Sequence, residues 1–253
     1  MNILTFNPED WYIGNISPQD TNWERFEYRV DKMMLPILDV LDQKKVKATF
    51  FCMGWLAEKH PEMVKEIAYR GHQIGCNSYM HVKPNTLSRD EFYGDVKRSK
   101  EMLEEVCCKA VDSYRAPNFA IEGIEGWYFD ILKELGIKYD CSTFGNKPTM
   151  LKGVKEFPVN RYGGKIPYSG GGYFRLMPYS LIRCWMKNSD YVMTYFHPRD
   201  FDKDQPRWEG LSSKDKFLNY IGLNGAYDKW LKMMDDFEFV NIEEADKLID
   251  WNK

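Results

Sequence analysis

Short apolar runs rich in β-branched and aromatic residues alternate along this chain with segments whose apolar residues recur at helical spacing. The runs predict buried β-strands, and the segments between them predict amphipathic helices. The predicted strands are ILTF, KATFFCM, HQIGC, the start of DSYRAP, KYDCS, YVMTYFH and FEFVNI. Regular alternation of strand and helix is typical of parallel strands covered by helices. We therefore predict an α/β fold, for which a barrel and a doubly wound sheet both stay open.

Two of the predicted helices have recognisable starts. Pro61 suits the first turn of a helix that spans about residues 61–70, because a proline there loses no helical hydrogen bond. Ser88 and Glu91 have the spacing of a capping box, in which each side chain bonds to the other's backbone N–H. A second helix is therefore predicted from Ser88 towards Cys107.

Apolar spacing alone predicts the other helices. They lie in residues 26–41, in EGWYFDILKELGI (residues 125–137), in about residues 214–236 and at the C-terminal end. Residues 145–179 are rich in glycine and proline and are predicted as long loops. Because no linker, repeat or low-complexity tract stands out, a single domain over residues 1–253 is predicted.

Charge and apolar run length exclude two classes of partner. The formal net charge is −3, which argues against nucleic acid as the main partner because phosphate binding needs a basic field. The longest apolar runs are far shorter than a membrane span. The chain starts with NILTF, without the basic and apolar regions of a signal peptide, so a cytoplasmic protein is expected.

The cysteines predict no thiolate metal site. No two of the six have Cys-x-x-Cys spacing, so they are interpreted as reduced, mostly structural thiols. Cys76 is next to polar residues at a strand end, but neighbouring residues of a strand point to opposite faces. Its thiolate is therefore not expected to join a site with the residue that follows it.

Charged and polar side chains follow several predicted strands, where parallel α/β folds place their functional groups. Two of the four histidines in the chain are among them. The set comprises Asn7, Glu9, Asp10, Cys76, Asn77, Ser78, His81, Arg115, Asp140, His197, Arg199 and Asp200. Each of these side chains also has a purely structural interpretation, since a single strand-end histidine or arginine often serves packing.

Five segments in order resemble one known family. They are LTFNPEDW, RGHQIGCNSYMH, SYRAPNFAI, SGGGYFRLMPY and YFHPRDFDKDQPR. Together they resemble the polysaccharide deacetylases with a NodB homology domain (carbohydrate esterase family 4), especially their exopolysaccharide-locus branch. The resemblance covers about residues 3–242. It implies a distorted (β/α) barrel of about seven strands and metal-dependent removal of an acetyl group from a sugar.

The resemblance also implies roles for individual residues. His81 matches the family's second metal-binding histidine, and His197 matches the late histidine that acts as general acid. Arg115 matches the arginine that positions the catalytic base. Glu9 or Asp10 matches the metal-binding carboxylate, and the choice between them stays open. The implied metal is zinc, cobalt or nickel.

Two positions depart from the family pattern. Asn7 stands where the family has its base aspartate, and Asn77 stands where it has its first metal-binding histidine. An amide is no useful base near neutral pH, and its oxygen is a weaker zinc ligand than an imidazole nitrogen. The implied metal site is therefore incomplete.

Three functional hypotheses follow. The first is a hydrolase of carbon–nitrogen amide bonds in acetylated sugars, working through a rearranged or weakened site of Glu9, Asp10 and His81 with His197 as acid. The second is a catalytically impaired homologue that binds carbohydrate or an assembly partner without hydrolysis. The third is a metal-free reaction on a sugar. The family branch implies surface polysaccharide biosynthesis, with nucleotide- or lipid-linked sugars as substrates before export.

The cleft of such a protein is expected to use aromatic and polar side chains near the motifs. Tyrosine and tryptophan combine a flat apolar body with a polar tip, which suits contact with sugar rings. The candidate substrate-binding residues are Trp11, Tyr79, Asn118, Tyr173 and Arg199. The oligomeric state is left open.

Overall fold

The computed structural model of the protein describes residues 1–15, 20, 22–124 and 126–251. Its strands are short, and all except β7 and β8 overlap predicted apolar runs. They are β1 Asn2–Ile3, β2 Thr5–Phe6, β3 Thr49–Cys52, β4 Gln73–Cys76, β5 Ser113–Tyr114, β6 Tyr139–Asp140, β7 Thr149–Leu151, β8 Val154–Glu156 and β9 Val192–Met193.

Helices separate most of the strands and cover the sheet. They are α1 Val30–Lys44, α2 Gly54–Lys59, α3 Pro61–Tyr69, α4 Arg89–Cys107, α5 Trp127–Glu134, α6 Gly171–Leu176, α7 Tyr179–Lys187, α8 Ser213–Tyr220, α9 Ala226–Asp236 and α10 Ile242–Lys247. No helix in the described ranges combines the length and the apolar character that crossing a membrane requires.

The strands form one sheet of seven and one of two. The larger has the order β2-β3-β4-β5-β6-β8-β7 and is parallel except for the β7–β8 pair, and β1 pairs in parallel with β9. A single bridge between Phe6 and Phe196 links the two sheets. The predicted α/β class with parallel strands and outer helices is confirmed.

Closure of the sheet into a ring depends partly on a side chain. Strand-to-strand hydrogen bonds do not close a barrel within the described residues. Instead, Asn160 reaches the segment that contains β9: its Nδ2 donates to the Tyr191 carbonyl, and the Met193 N–H donates to its Oδ1, each over 2.8 Å. Asn160 thus takes the place of a strand residue between β8 and β9.

The helix starts that the sequence predicts are present. Helix α3 begins at Pro61. At α4 the Ser88 side chain accepts from the Glu91 N–H, and the Glu91 carboxylate accepts from the Ser88 N–H. Helix α5 begins at Trp127, and residue 125 of the predicted segment is outside the described residues.

Three predictions of local structure are wrong. The helix predicted over residues 214–236 is split into α8 and α9, because Gly222 and Gly225 adopt φ of +70° and +124°. FEFVNI forms no strand and makes one bridge, from Val240 to Ile3. The glycine-rich region 145–179, predicted as long loops, contains β7, β8 and α6. Between β7 and β8, Lys152 and Gly153 take the positive φ angles that a tight hairpin turn requires.

Candidate functional site

The Glu9 carboxylate is the centre of a buried polar cluster. Its Oε1 accepts from Asn7 Nδ2 at 2.9 Å and from Asn77 Nδ2 at 3.0 Å, and His81 Nε2 is 3.3 Å away. Its Oε2 is 3.8 Å from His197 Nε2. We call these five residues the Glu9 cluster. They come from three distant segments of the sequence.

The topology explains why these segments meet. Asn7 and Glu9 follow β2, Asn77 follows β4, and His197 follows the segment that β9 begins. Phe196 bridges to Phe6, and β3 lies between β2 and β4. The carboxyl ends of parallel strands share one edge of the sheet, which is where α/β proteins place their sites.

A tight turn at Pro8 aims Glu9 into the cluster. The Glu9 N–H donates to the Asn7 carbonyl at 2.8 Å, two residues back. Such a three-residue turn is common where a strand ends. The strand therefore stops at Phe6, and the side chains of Asn7 and Glu9 reach the same place although they are two residues apart.

Glu9 is ionised at neutral pH. Burial raises the pKa of Glu9, but the neighbouring His81, His197 and Arg199 together lower it by more. The net pKa is therefore well below the usual range of glutamate. A carboxylate with so low a pKa is a weak proton acceptor. Glu9 is better suited to accept hydrogen bonds or bind a cation than to abstract a proton.

Arg115 fixes the orientation of Asn7. Its Nη1 donates to Asn7 Oδ1 at 2.9 Å and to Thr5 Oγ1 at 2.8 Å, and its guanidinium carbon is 4.1 Å from the Phe51 ring centroid. Because the Asn7 oxygen faces Arg115, the Asn7 nitrogen faces Glu9. Arg115 is fully buried and makes no ion pair within the described ranges, and burial lowers its pKa.

His197 is held by an acid that was not among the predicted catalytic residues. Asp200 Oδ2 is 3.0 Å from His197 Nδ1 and accepts from the His197 N–H at 2.9 Å. Asp200 Oδ1 is 3.1 Å from Arg175 Nε. Burial raises the Asp200 pKa, but His197 and Arg175 lower it by more, so it stays below the usual value. The spacing His-Pro-Arg-Asp was the available signal for this pair.

Asp10 lies outside the cluster. Its Oδ1 accepts from the Trp11 N–H at 2.8 Å, and its Oδ2 accepts from the Arg29 N–H at 2.7 Å, at the start of α1. Burial raises its pKa to about 6. Of the two carboxylates left open by the sequence, Glu9 is in contact with His81, and Asp10 caps a helix.

The raised pKa of Asp10 predicts a pH-dependent contribution to stability. A carboxyl that is harder to ionise when folded stabilises the protein below its unfolded pKa of 3.8, and this contribution is lost as the pH rises to about 6. The substitution Asp10→Asn removes the titration. We expect the difference in melting temperature, variant minus wild type, to increase between pH 4 and pH 7. A difference that is constant with pH would contradict this assignment.

Two of the predicted substrate-binding residues donate hydrogen bonds to backbone carbonyls. Trp11 is buried, and its Nε1 donates to the Glu27 carbonyl at 3.1 Å. Arg199 Nη1 donates to the Ile13 carbonyl at 2.7 Å while its charge acts on Glu9. Trp11 and Arg199 line one small cavity together with Glu9.

The other three predicted binding residues are nearer to the surface. The Tyr79 hydroxyl donates to Glu58, and the Arg98 guanidinium lies 3.6 Å from its ring centroid. Asn118 is exposed and has φ of +55°. Tyr173 is on α6 with 38% of its surface exposed. Of these three residues, Asn118 and Tyr173 are exposed and can contact a ligand.

Strained backbone flanks the cluster. Ser78, His81, Asn118 and Phe119 are non-glycine residues with φ between +55° and +65°. Such conformations are costly, and they concentrate where function requires a side chain in one direction. The loops after β4 and β5 therefore carry the backbone strain of the site.

Glu9, His81 and Asn77 carry the donor atoms that could hold a divalent ion in the cluster. Within the described residues, no three His, Cys, Asp or Glu side chains are grouped so as to hold a metal. Glu9 and His81 supply two donors, and Asn77 Oδ1 is buried without a hydrogen-bond partner. Catalytic zinc usually has three protein ligands, and a neutral amide oxygen is a poor substitute for imidazole.

Cys76 does not complete the site. Its Sγ is 3.3 Å from Ser99 Oγ on α4, on the helix side of the strand. Burial raises its pKa to about 12, so the thiolate form is disfavoured.

Comparison with known proteins gives matches along most of the chain. The family model "Polysaccharide deacetylase" matches residues 20–139, and a model for a domain of unknown function, DUF3473, matches residues 136–247. A peptidoglycan deacetylase from Helicobacter pylori is 28% identical over 72% of each chain. A peptidoglycan-N-acetylglucosamine deacetylase from Bacillus cereus is 41% identical, but over 32% of this chain and 30% of its own length. The predicted resemblance to the polysaccharide deacetylases is confirmed, and the resemblance to their exopolysaccharide-locus branch stays a prediction.

Solved structures support the fold. A protein from Mycobacterium smegmatis assigned to the polysaccharide deacetylases superposes with a TM-score of 0.70 at 18% identity, covering 98% of this chain and 89% of that one. A CE4 family pseudoenzyme from Bacillus anthracis has a TM-score of 0.57 at 16% identity, covering 96% of this chain and 64% of that one. Identities this low bear on the fold alone. The single-domain assignment stays a prediction.

Proposed function

We propose that this chain, of which residues 20–139 match the polysaccharide deacetylase family model, binds an acetylated sugar and hydrolyses the carbon–nitrogen amide bond at the Glu9 cluster. The observation that carries this proposal is the meeting of Glu9, His81 and His197 at one edge of the sheet. Their spacing of 3.3 and 3.8 Å lets one small group contact all three.

His197 is the proton donor in this proposal. Asp200 bonds to its Nδ1, which leaves Nε2 facing Glu9 and the reacting group. A histidine held in this way can carry a proton on Nε2 and deliver it to the leaving nitrogen as the amide bond breaks. Arg175 stabilises the Asp200 carboxylate and so keeps the pair in place.

Glu9 and His81 would hold the divalent ion on which members of this family generally depend. When bound, the ion would supply polarisation of the attacking water and of the acetyl carbonyl. Glu9 orients the water by accepting its hydrogen bond and takes up the proton that the water loses as its oxygen bonds to the carbonyl carbon, while the bond from that carbon to nitrogen breaks and the nitrogen receives the proton from His197; the low pKa of Glu9 makes it a weak acceptor. No strong base is placed beside the water, because Asn7 occupies the position that the family resemblance assigns to the base. We therefore propose a slow hydrolase with a weakened site.

A second candidate, carbohydrate binding without hydrolysis, is favoured by one specific observation. Both Asn7 Nδ2 and Asn77 Nδ2 donate to the same oxygen of Glu9, so two amides compete with a metal for Oε1. The Bacillus anthracis neighbour is described as a pseudoenzyme, and a mutant of it as having restored enzymatic activity. An inactive member of this fold that regains activity is thus a precedent for this candidate.

We extend the proposal to the biological setting. Its support is the resemblance to the exopolysaccharide-locus branch, which implies surface polysaccharide synthesis. In that setting the substrates would be nucleotide- or lipid-linked acetylated sugars. Incubation of the protein with each kind of precursor and measurement of released acetate would distinguish the two.

Acetate release tests the hydrolase directly. Wild-type protein is incubated with an N-acetylated oligosaccharide and micromolar zinc, cobalt or nickel. We expect slow release, and we expect His197→Ala to lower it by about 10²- to 10⁴-fold, the usual contribution of a general acid. His60→Ala is the matched control, since His60 stacks on Tyr28 outside the cluster. Equal rates for His197→Ala and wild type would exclude the proposed proton donor, and absence of release from wild type would favour binding without hydrolysis.

A further inference from the structure

A polar cleft of about 330 Å³ lies away from the Glu9 cluster. This volume is at the small end of the range of about 300–1,000 Å³ that ligand sites in proteins occupy. Its walls come from the loop after β6, the loop before α6 and the loop between α7 and β9. The lining residues used below are Asn146, Arg161, Tyr162, Asn188 and Asp190.

The cleft contains a cation and an anion that are not paired with each other. Arg161 Nε is buried without a hydrogen-bond partner, and its guanidinium carbon lies 3.3 Å from the Phe144 ring centroid. The Asp190 side chain makes no ion pair within the described part of the chain. A site for a simple anion or cation would expose one sign of charge. A neutral ligand with many hydroxyl groups can donate to Asp190 and accept from Arg161.

An aromatic surface forms one side of the cleft. Tyr162 has 52% of its surface exposed, and its ring stacks on Trp185 at a centroid distance of 4.3 Å and an angle of 20°. Trp185 also meets Tyr168 edge-on at 5.2 Å. A ring that is supported from behind and open in front is a rigid platform for the apolar face of a sugar.

A chain of aromatic rings connects this cleft to the Glu9 cluster. Phe144, beneath Arg161, is 5.0 Å from Phe119, and Phe119 is 5.6 Å from Tyr195. Tyr195 is 6.4 Å from the His197 ring. Three successive ring contacts therefore lead from the cleft to the His197 ring, with centroid distances of 5.0, 5.6 and 6.4 Å.

We propose that this cleft is a distal subsite for neutral sugar units of the same saccharide chain whose acetylated unit reaches the Glu9 cluster. The inference rests on the proposed function, because it takes the ligand to be a saccharide. Arg161, Asp190 and the two asparagines bond to hydroxyl or acetamido groups, and Tyr162 stacks on a ring. The subsite makes the protein prefer long chains over short ones.

Binding of saccharides of two lengths tests the subsite. The dimer and the hexamer of β-1,4-linked N-acetylglucosamine are titrated calorimetrically in the presence of EDTA, which prevents turnover. The proteins are wild type, Tyr162→Ala, Asp190→Asn and the control Tyr69→Ala, whose side chain is 89% exposed elsewhere on the surface. We expect wild type to bind the hexamer about tenfold more tightly than the dimer. Tyr162→Ala and Asp190→Asn should each remove most of this difference and leave dimer affinity unchanged, whereas Tyr69→Ala should change neither.

The outcomes separate the subsite from the proposed function. Equal affinity of wild type for both lengths, absence of hexamer binding, or full hexamer affinity in both cleft variants would overturn the subsite. Hexamer binding that depends on Tyr162 but is unaffected by His81→Ala, with no acetate released, would support the subsite and contradict hydrolysis at the Glu9 cluster. Because Tyr162 and Asp190 are in surface loops, unchanged melting temperatures will show that the variants are folded.

Discussion

The double substitution Asn7→Asp, Asn77→His is expected to raise the rate of acetate release by about 10²- to 10⁴-fold, the range that a positioned base contributes. The first change places a carboxylate within hydrogen-bond distance of Arg115, because Arg115 Nη1 already donates to Asn7 Oδ1 at 2.9 Å. The second supplies an imidazole beside Glu9, where the Asn77 amide now donates at 3.0 Å. Acetate release from an N-acetylated oligosaccharide with added zinc is the measurement.

The two changes are expected to depend on each other. Asn7 Nδ2 is 2.9 Å from Glu9 Oε1, so Asn7→Asp alone brings two carboxylate oxygens to about that separation. Like charges so close disfavour ionisation of both groups unless a cation lies between them. The single variant should therefore gain little without a third metal ligand, and the double variant should gain more than the sum of the singles.

A matched control separates this effect from a general effect of the new side chains. Asn85→Asp, Asn224→His makes the same two chemical changes at exposed positions outside the cluster. It should leave the rate at the wild-type level. If the Asn7→Asp, Asn77→His protein also stays at that level, the pocket has been remodelled beyond these two positions.

The substitution Glu9→Ala is expected to destabilise the protein by about 3–5 kcal/mol, the cost of leaving a buried hydrogen-bonded charge network without one partner. Glu9 is 2% exposed and faces two amide donors and two histidines. Without the carboxylate, the two amide N–H groups lose their acceptor inside the protein. The free energy of unfolding from urea denaturation at pH 7 is the measurement.

Glu62→Ala serves as the matched control, because that carboxylate is 71% exposed and pairs only loosely with His60 at 3.6 Å. It should change the unfolding free energy by less than about 1 kcal/mol. Many functional carboxylates are held at a cost to stability, so an unchanged or more stable Glu9→Ala protein would show that the Glu9 cluster is strained and not mutually stabilising.

The sequence predicted the parallel framework well because its signals are local. The apolar runs that became β3 and β4 and the capping box at Ser88 act within a few residues. The β7–β8 hairpin was not predicted because its strands are exposed or short, so they lack an apolar run. The break between α8 and α9 depends on the backbone angles of Gly222 and Gly225, whereas residues 214–236 as a whole keep helical spacing.

The site was predicted in part for a similar reason. Strand ends identified Glu9, His81 and His197, because in parallel folds those ends meet. The separate directions of Glu9 and Asp10 could not be predicted, since they follow from the turn at Pro8 and from the start of α1. The bonds of Asp200 and Arg175 were also not predicted, because a three-residue helical turn and a distant helix bring them together.

Asn7 and Asn77 donate to Oε1 of Glu9 at the two positions where the family resemblance implies an acid and an imidazole. Chelator-competition titration with zinc, on wild type and on the Asn7→Asp, Asn77→His protein, tests this claim most directly. We expect the double variant to bind zinc at least about 100-fold more tightly, because it gains a third ligand and loses the amides that compete for Glu9. Equal zinc affinity of the two proteins would contradict the account.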